Sequence, residues 1–319
     1  MTQTRIKLSL LFIILIVFLT TILLKITGVT PVIDSSNLEL ISSKTPNLST
    51  IVKAEEITAT AILKTKANLA RAAKKNDQMV VMHRPQWIFE SKLIVQLERL
   101  SSAAANGDSE ASYILAMNLR YCYNSPIDDL ALEKSLAQAY EFSDSEVAVA
   151  KITQKYEYCS GIEKNQRKQF YHYSQAAAND GYVAAQEVIG NITPEFFMES
   201  QGYQGLEREE FIIIRDNFIE QKIGFLQRAA QNGSIRALTR LSRMNRAQQL
   251  GGDGYVKSFG FNQLILELTQ NNETYNRYSR YQQKLHSQLT AKEIDTAFAM
   301  SEQWLEIIKA NGTLYLNEN

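Results

Sequence analysis

A short frame of alanine and glycine occurs three times in this chain and restricts what the chain can fold into. In each copy an alanine pair precedes a glycine, a further alanine follows it, and Leu or Ile comes one helical turn later. The copies lie at 103–116, 177–190 and 229–242, with Gly107, Gly181 and Gly233 at the centre. Glycine at a helix end adopts the left-handed conformation without a Cβ penalty. The frame therefore predicts one helix, a tight turn, and a partner helix that packs closely against it.

The spacing of the copies predicts a stack of such hairpins. Gly107 and Gly181 are 74 residues apart, which is two periods of the roughly 34- to 40-residue helical hairpin repeats. A degenerate copy is expected midway, and 143–152 repeats the Asp-Ser-Glu of the first frame with serine in place of glycine. The shorter distance from Gly181 to Gly233 indicates an insertion, assigned to 194–207. Because one hairpin cannot bury its apolar face alone, we expect an all-α solenoid of stacked antiparallel hairpins.

Composition agrees with a helical chain and argues against nucleic acid as a partner. The 319 residues include five prolines, 34 basic and 34 acidic side chains. Few prolines favour helix. A nucleic-acid-binding domain normally carries a basic excess, so we expect no nucleic-acid partner.

An apolar run at 8–24, preceded by Arg5 and Lys7, predicts a membrane segment. Seventeen helical residues span roughly 25 Å, slightly less than a hydrocarbon core of about 30 Å. We predict a cytoplasmic tip and single-pass transmembrane signal-anchor at 1–26, in the inner membrane, with the rest of the chain exported to the periplasm. A cleaved signal peptide is the alternative, and it would release the chain into the periplasm.

The remaining boundaries follow from changes in composition. Residues 27–50 are rich in Ser, Thr, Asn and Pro and predict a flexible linker. Residues 51–86 predict a helical N-terminal extension, with Pro85 favouring a helix start near its end. The repeats are expected at 87–254 and capping helices at 255–319, where Thr290 and Glu293 fit a capping box.

The two cysteines occupy equivalent positions, in Tyr121-Cys122 and Tyr158-Cys159, 37 residues apart. Each is predicted to end the second helix of a hairpin, and stacking brings such ends together. A disulfide needs Cα atoms within about 7 Å, and two cysteines of an exported protein are expected to pair. Two buried free thiols are the alternative. A catalytic thiol or metal site is not expected, because no histidine or acidic cluster accompanies the cysteines.

Other polar positions carry no recognisable chemistry. The three histidines are not at metal-ligand spacing, and the glycines at 251–254 lack the Lys-Ser/Thr of a phosphate loop. We therefore expect no catalytic residue, no metal ligand, no cofactor and no enzymatic activity. Several tyrosines of the repeat helices can belong either to the core or to a binding groove: Tyr113, Tyr121, Tyr140, Tyr158, Tyr171 and Tyr173.

The three frames, ending in Leu115-Ala116, Ile189-Gly190 and Leu241-Ser242, resemble the Sel-one-like repeat family, relatives of the tetratricopeptide repeat. Residues 289–305 are similar to the terminal helix of bacterial members. The resemblance implies a scaffold or adaptor of the bacterial cell envelope that binds a protein or peptide partner on the solenoid surface. Its alternative is an envelope enzyme or enzyme regulator related to peptidoglycan or β-lactams, which needs a pocket with a nucleophile and a base in reach.

Overall fold

A computed structural model of the chain describes residues 79–141 and 145–316, apart from the side chain of Ser145. These residues belong to the compact unit Thr65–Asn319. The predicted anchor at 1–26, the linker at 27–50 and residues 51–78 of the predicted helical extension lie outside the described residues. No helix within 79–141 and 145–316 is long and apolar enough to cross a membrane.

The described part is largely helical, which confirms the all-α prediction. A 3-10 turn at Tyr203–Gly205 interrupts the α-helices, and one short strand lies at each end. In chain order the elements are β1 (Val80–Met82), α1 (Leu93–Ala105), α2 (Ser109–Cys122), α3 (Asp129–Tyr140), α4 (Ser145–Cys159), α5 (Lys164–Lys168), α6 (Phe170–Asn179), α7 (Val183–Asn191), α8 (Pro194–Ser200), α9 (Arg208–Gln231), α10 (Ile235–Arg246), α11 (Gly254–Leu268), α12 (Asn272–His286), α13 (Ala291–Asn311) and β2 (Thr313–Tyr315).

Each frame glycine lies between two consecutive helices that pack together, namely α1 with α2, α6 with α7, and α9 with α10. Their φ angles are 86°, 89° and 76° for Gly107, Gly181 and Gly233. In the first and third copies the residue after the glycine caps the next helix. Asp108 and Ser234 each accept a hydrogen bond from the amide of the frame alanine three residues on, which satisfies an otherwise unpaired helix amide.

Small residues of the frame allow neighbouring helices to approach closely. The frame alanines of the second and third copies are fully buried, and so are Leu115 and Ile189. A Cβ placed on Gly190 of α7 would lie 2.3 Å from the Leu226 side chain of α9. The terminal glycine of the second frame is therefore the point where α9 crosses α7.

The hairpin expected midway between the first two frames does form, from α3 and α4, but it does not separate its neighbours. Instead α2 packs directly on α6, then α7 on α9, and α10 on α11. The α3–α4 hairpin makes only small contacts with α1 and α2. Ala139 is the only buried residue of α3, while Leu130 and Tyr140 are exposed. Without an apolar face to insert, this hairpin lies beside the packed helices; we call it the side hairpin.

The end of the predicted helical extension is a strand, so the helix start expected near Pro85 is wrong. β1 pairs in parallel with β2, with Val80 opposite Thr313 and Met82 opposite Tyr315. The two β-branched valines of β1 favour extended backbone, and a residue that precedes proline is disfavoured in helix. The described helices of the predicted cap are α11 to α13, and the capping box of Thr290 and Glu293 is present at α13.

Gly233→Ala is expected to destabilise the protein more than Gly107→Ala. Both glycines have positive φ, which costs alanine about 1–2 kcal/mol. A Cβ at position 233 would also lie 2.3 Å from the Thr313 carbonyl oxygen, whereas nothing lies within 4 Å of a Cβ at position 107. The clash adds about 1–3 kcal/mol. Urea unfolding followed by circular dichroism measures both losses; equal losses would contradict the close approach of β2 to the third turn.

Candidate functional site

The predicted disulfide is confirmed. Cys122 and Cys159 are bonded, with Cα atoms 5.5 Å apart, and both side chains are fully buried. They are the last residues of α2 and α4. The bond therefore attaches the side hairpin to the first frame hairpin, and it leaves no free thiol in the chain.

The side chain of Arg167 is 3% exposed and donates hydrogen bonds to backbone carbonyls beside this disulfide. Its guanidinium donates to backbone carbonyls: Ser125 at 2.6 Å, Ile162 at 2.9 Å, Cys122 at 3.0 Å, Pro126 at 3.4 Å and Cys159 at 3.4 Å. Carbonyls at a helix end have no intrahelical partner and carry partial negative charge. Desolvation lowers the pKa of Arg167, and these carbonyls offset that cost. The sequence does not reveal this role, because the acceptors are backbone atoms.

Replacing both cysteines by serine is expected to release the side hairpin while leaving the other hairpins in place. A loop of this length is stabilised by about 2–4 kcal/mol through its disulfide. Hydrogen exchange measured by mass spectrometry should become faster in α3 and α4 and stay unchanged in α10 and α11. Reduction of the unmodified chain is the control and should give the same pattern. Faster exchange everywhere would show that the bond supports the whole unit.

A buried ion pair joins the N-terminal segment of the described unit to α7, and a hydrogen bond from the same arginine reaches the C-terminal segment. The Arg84 guanidinium, on the segment after β1, contacts the Glu187 carboxylate of α7 at 2.6 and 2.7 Å, and the two side chains are 6% and 4% exposed. The Ser234 hydroxyl also donates to Glu187, and Arg84 donates to the Leu316 carbonyl at 2.6 Å. We call these four residues the terminal clasp. These residues offer no exposed reactive group. Their contacts hold the N-terminal segment, α7, the third turn and the C-terminal segment together.

Glu187→Gln is expected to cost about 3–5 kcal/mol of stability, because it removes the buried carboxylate that the Arg84 guanidinium contacts through two nitrogens. Replacing Arg84 and Glu187 together by methionine should cost less than the sum of the two single changes. Asp216→Asn is a matched control, since Asp216 pairs with Arg215 at the surface and should contribute less than about 1 kcal/mol. Chemical denaturation measures the stability of each of these variants. Similar losses for Glu187→Gln and Asp216→Asn would contradict the clasp.

An open groove of about 390 Å³ lies between α6, α8 and α9. One wall comes from 194–207, the predicted insertion, which folds into α8 and the 3-10 turn. We call this the aromatic–amide groove. It is lined by Tyr171, His172, Gln175, Phe197, Gln201, Tyr203, Ile214, Asn217, Phe218 and Gln221.

Stacked rings and hydrogen bonds form the floor of the aromatic–amide groove, and amides lie at its rim. The rings of Phe197 and Phe218 stack with centroids 4.1 Å apart. The Gln221 carbonyl oxygen accepts from the Tyr171 hydroxyl at 2.8 Å and from Gln175 at 3.1 Å. Burial raises the pKa of Tyr171, so its hydroxyl remains a donor. The amides of Gln175 and Gln201 are half-buried at the rim.

Of the six tyrosines that the sequence left open between core and groove, three are buried, and Tyr121 and Tyr173 are half-buried and pack against the same core. Tyr113, Tyr158 and Tyr171 are buried, and Tyr171 also lines the groove; Tyr140 is exposed on the side hairpin.

Within 79–141 and 145–316, no three His, Cys, Asp or Glu side chains converge as metal ligands. No family model, curated protein or solved structure matches the chain.

Proposed function

We propose that this chain is an interaction scaffold of the bacterial cell envelope, whose helical hairpins bind a partner protein or peptide. In this proposal the hairpins form a Sel-one-like solenoid, and residues 1–26 anchor it to the inner membrane. The single observation that carries the proposal is the aromatic–amide groove, with its stacked aromatic floor and its rim of neutral amides.

The chemistry of this groove matches a peptide backbone. A glutamine or asparagine side chain offers both a donor and an acceptor, as a peptide bond does. Aromatic rings supply contact area at low conformational cost and dominate many protein interfaces. The lining residues include Tyr171, Phe197, Tyr203 and Phe218 for contact, and Gln175, Gln201, Asn217 and Gln221 for hydrogen bonding.

The disulfide supports export of the hairpins. Disulfides persist in oxidising compartments such as the bacterial periplasm and are rare in the cytosol. Cys122 and Cys159 are paired and buried behind Arg167. A periplasmic scaffold attached by its N-terminal segment would present the groove to envelope proteins at a limited distance from the membrane.

Site-specific photo-crosslinking in living cells tests this proposal. A benzoylphenylalanine at position 172, an exposed position that lines the groove, should give a discrete adduct with one envelope protein. The adduct should sediment with membranes and contain the full-length chain. Lys292, exposed on α13, does not line the groove and provides the control position.

Two further variants show whether the adduct depends on the groove. Tyr203→Ala combined with Gln175→Ala should reduce the adduct about tenfold, because a recognition aromatic and a rim amide are lost. Tyr140→Ala, at a side chain 66% exposed on the side hairpin, should leave it unchanged. Equal adducts at positions 172 and 292, or an adduct insensitive to the Tyr203 and Gln175 changes, would overturn the proposal.

A further inference from the structure

Four arginines from two helices converge on a second groove, which the aromatic–amide groove does not include. It lies between α10 and α12, has a volume of about 280 Å³, and we call it the basic groove. Its floor is closed by the Tyr278 hydroxyl, which donates to the Thr239 carbonyl at 3.3 Å. Its lining consists of Asn191, Arg236, Thr239, Arg240, Arg243, Thr274, Arg277 and Tyr278.

The arginines are brought together by the helical period of α10. Arg236, Arg240 and Arg243 recur at intervals of four and three residues, which places them on one face. The opposite face is apolar, with Leu238 and Leu241 buried against α11 and its neighbours. Arg277 reaches the groove from α12. The buried apolar face therefore forces the charged face outward.

The positive charge of this region is not balanced locally. Residues 232–288 contain eight Lys and Arg but three Asp and Glu, in a chain whose net charge is zero. Within the described residues the ion pair of Arg277 with Glu273 is the only one made by a groove arginine. That pair is exposed, so it contributes little stability and a ligand carboxylate can compete with Glu273 for Arg277.

Arg240 differs from the other three groove arginines, which are exposed, because part of its guanidinium is buried in the groove lining. Its Nε–H is buried and has no acceptor among the described residues, although the side chain as a whole is half-buried in the groove lining. A buried donor without an acceptor is costly. A carboxylate in the groove would be met by the terminal N–H groups of Arg240, because the Nε atom itself is closed off from the groove.

We propose that the basic groove binds an acidic peptide segment, with Asp or Glu carboxylates seated between Arg240, Arg243 and Arg277. Guanidinium groups recognise carboxylates through paired N–H donors in a planar fork. Nucleic acid would need a longer basic track along its phosphates, and an anionic membrane surface requires a basic face that can lie flat on it. The short, concave groove favours side chains over either of these. The inference adds a partner chemistry to the proposed scaffold function and uses a different site.

Fluorescence anisotropy with the full-length chain in a non-ionic detergent tests the acidic-peptide site. The probe is a labelled peptide of repeating Glu-Asp-Ser, and a Gln-Asn-Ser peptide is its neutral control. We expect saturable binding of the acidic probe only. The charge-reversal variant Arg243→Glu with Arg277→Glu, both at exposed positions on opposite walls, should weaken binding about tenfold or more, since each removes a charged hydrogen-bonding partner.

A matched variant separates the groove from the overall charge. Arg99→Glu with Lys134→Glu changes the net charge equally, at exposed positions of α1 and α3 outside the groove, and should alter binding less than about twofold because of screening. Replacing Arg243 and Arg277 by lysine should give intermediate affinity, since the charge remains and the planar fork is lost.

Several results would overturn this inference. Equal weakening by the two charge-reversal variants would show a long-range charge effect. Tighter binding of an oligothymidylate, or of micelles containing phosphatidylglycerol, that is lost in the groove variant would reassign the basic groove to nucleic acid or lipid. Failure here leaves the crosslink from position 172 unaffected, so the two proposals fail separately.

Discussion

The pairing of Arg84 with Glu187 is the interaction on which the arrangement of the described unit depends. Burying two charges is costly, and the cost is offset only when geometry and further hydrogen bonds are both good. Here the guanidinium fork meets both carboxylate oxygens, while Ser234 and the Leu316 carbonyl occupy remaining positions. The segments that follow β1 and β2, together with α7 and the third turn, must therefore all be in place together. The clasp makes the packing of the middle hairpins and the pairing of the ends one cooperative event.

The parts of the fold that could be predicted from sequence are those that local chemistry determines. Gly107, Gly181 and Gly233 require a left-handed turn, and alanines on both sides require close helices, so the frame hairpins follow. The capping box at α13 and the disulfide are also local or pairwise features. By contrast, all the described helices lie between β1 and β2 in the sequence. No local pattern indicates that these two strands pair. Likewise, α2 packs directly on α6 because α3 has no apolar face with which to insert between them.

For the two grooves as well, the sequence predicts the spacing of residues along one helix but not which helices come together. The helical spacing of Arg236, Arg240 and Arg243 can be read from the sequence, but the convergence of Arg277 on that face requires the packing of α10 and α12 around α11. A net charge of zero for the chain therefore conceals a basic region within it. The insertion at 194–207 was recognisable as an interruption of the repeat. Its contribution of Phe197 and Tyr203 to an aromatic groove could not be inferred without knowing that it folds back against α6 and α9.

The parallel pairing of β1 and β2 has a mechanical consequence. A pull applied before β1 and after β2 would draw the two strands in opposite directions along their length, so their hydrogen bonds would be loaded together in shear. The guanidinium bridge from Arg84 to Leu316 lies in the same load path. Tension between these points would be borne by the ladder and the bridge before it reached the helical hairpins. The shape of the grooves would thus be protected from strain transmitted along the chain.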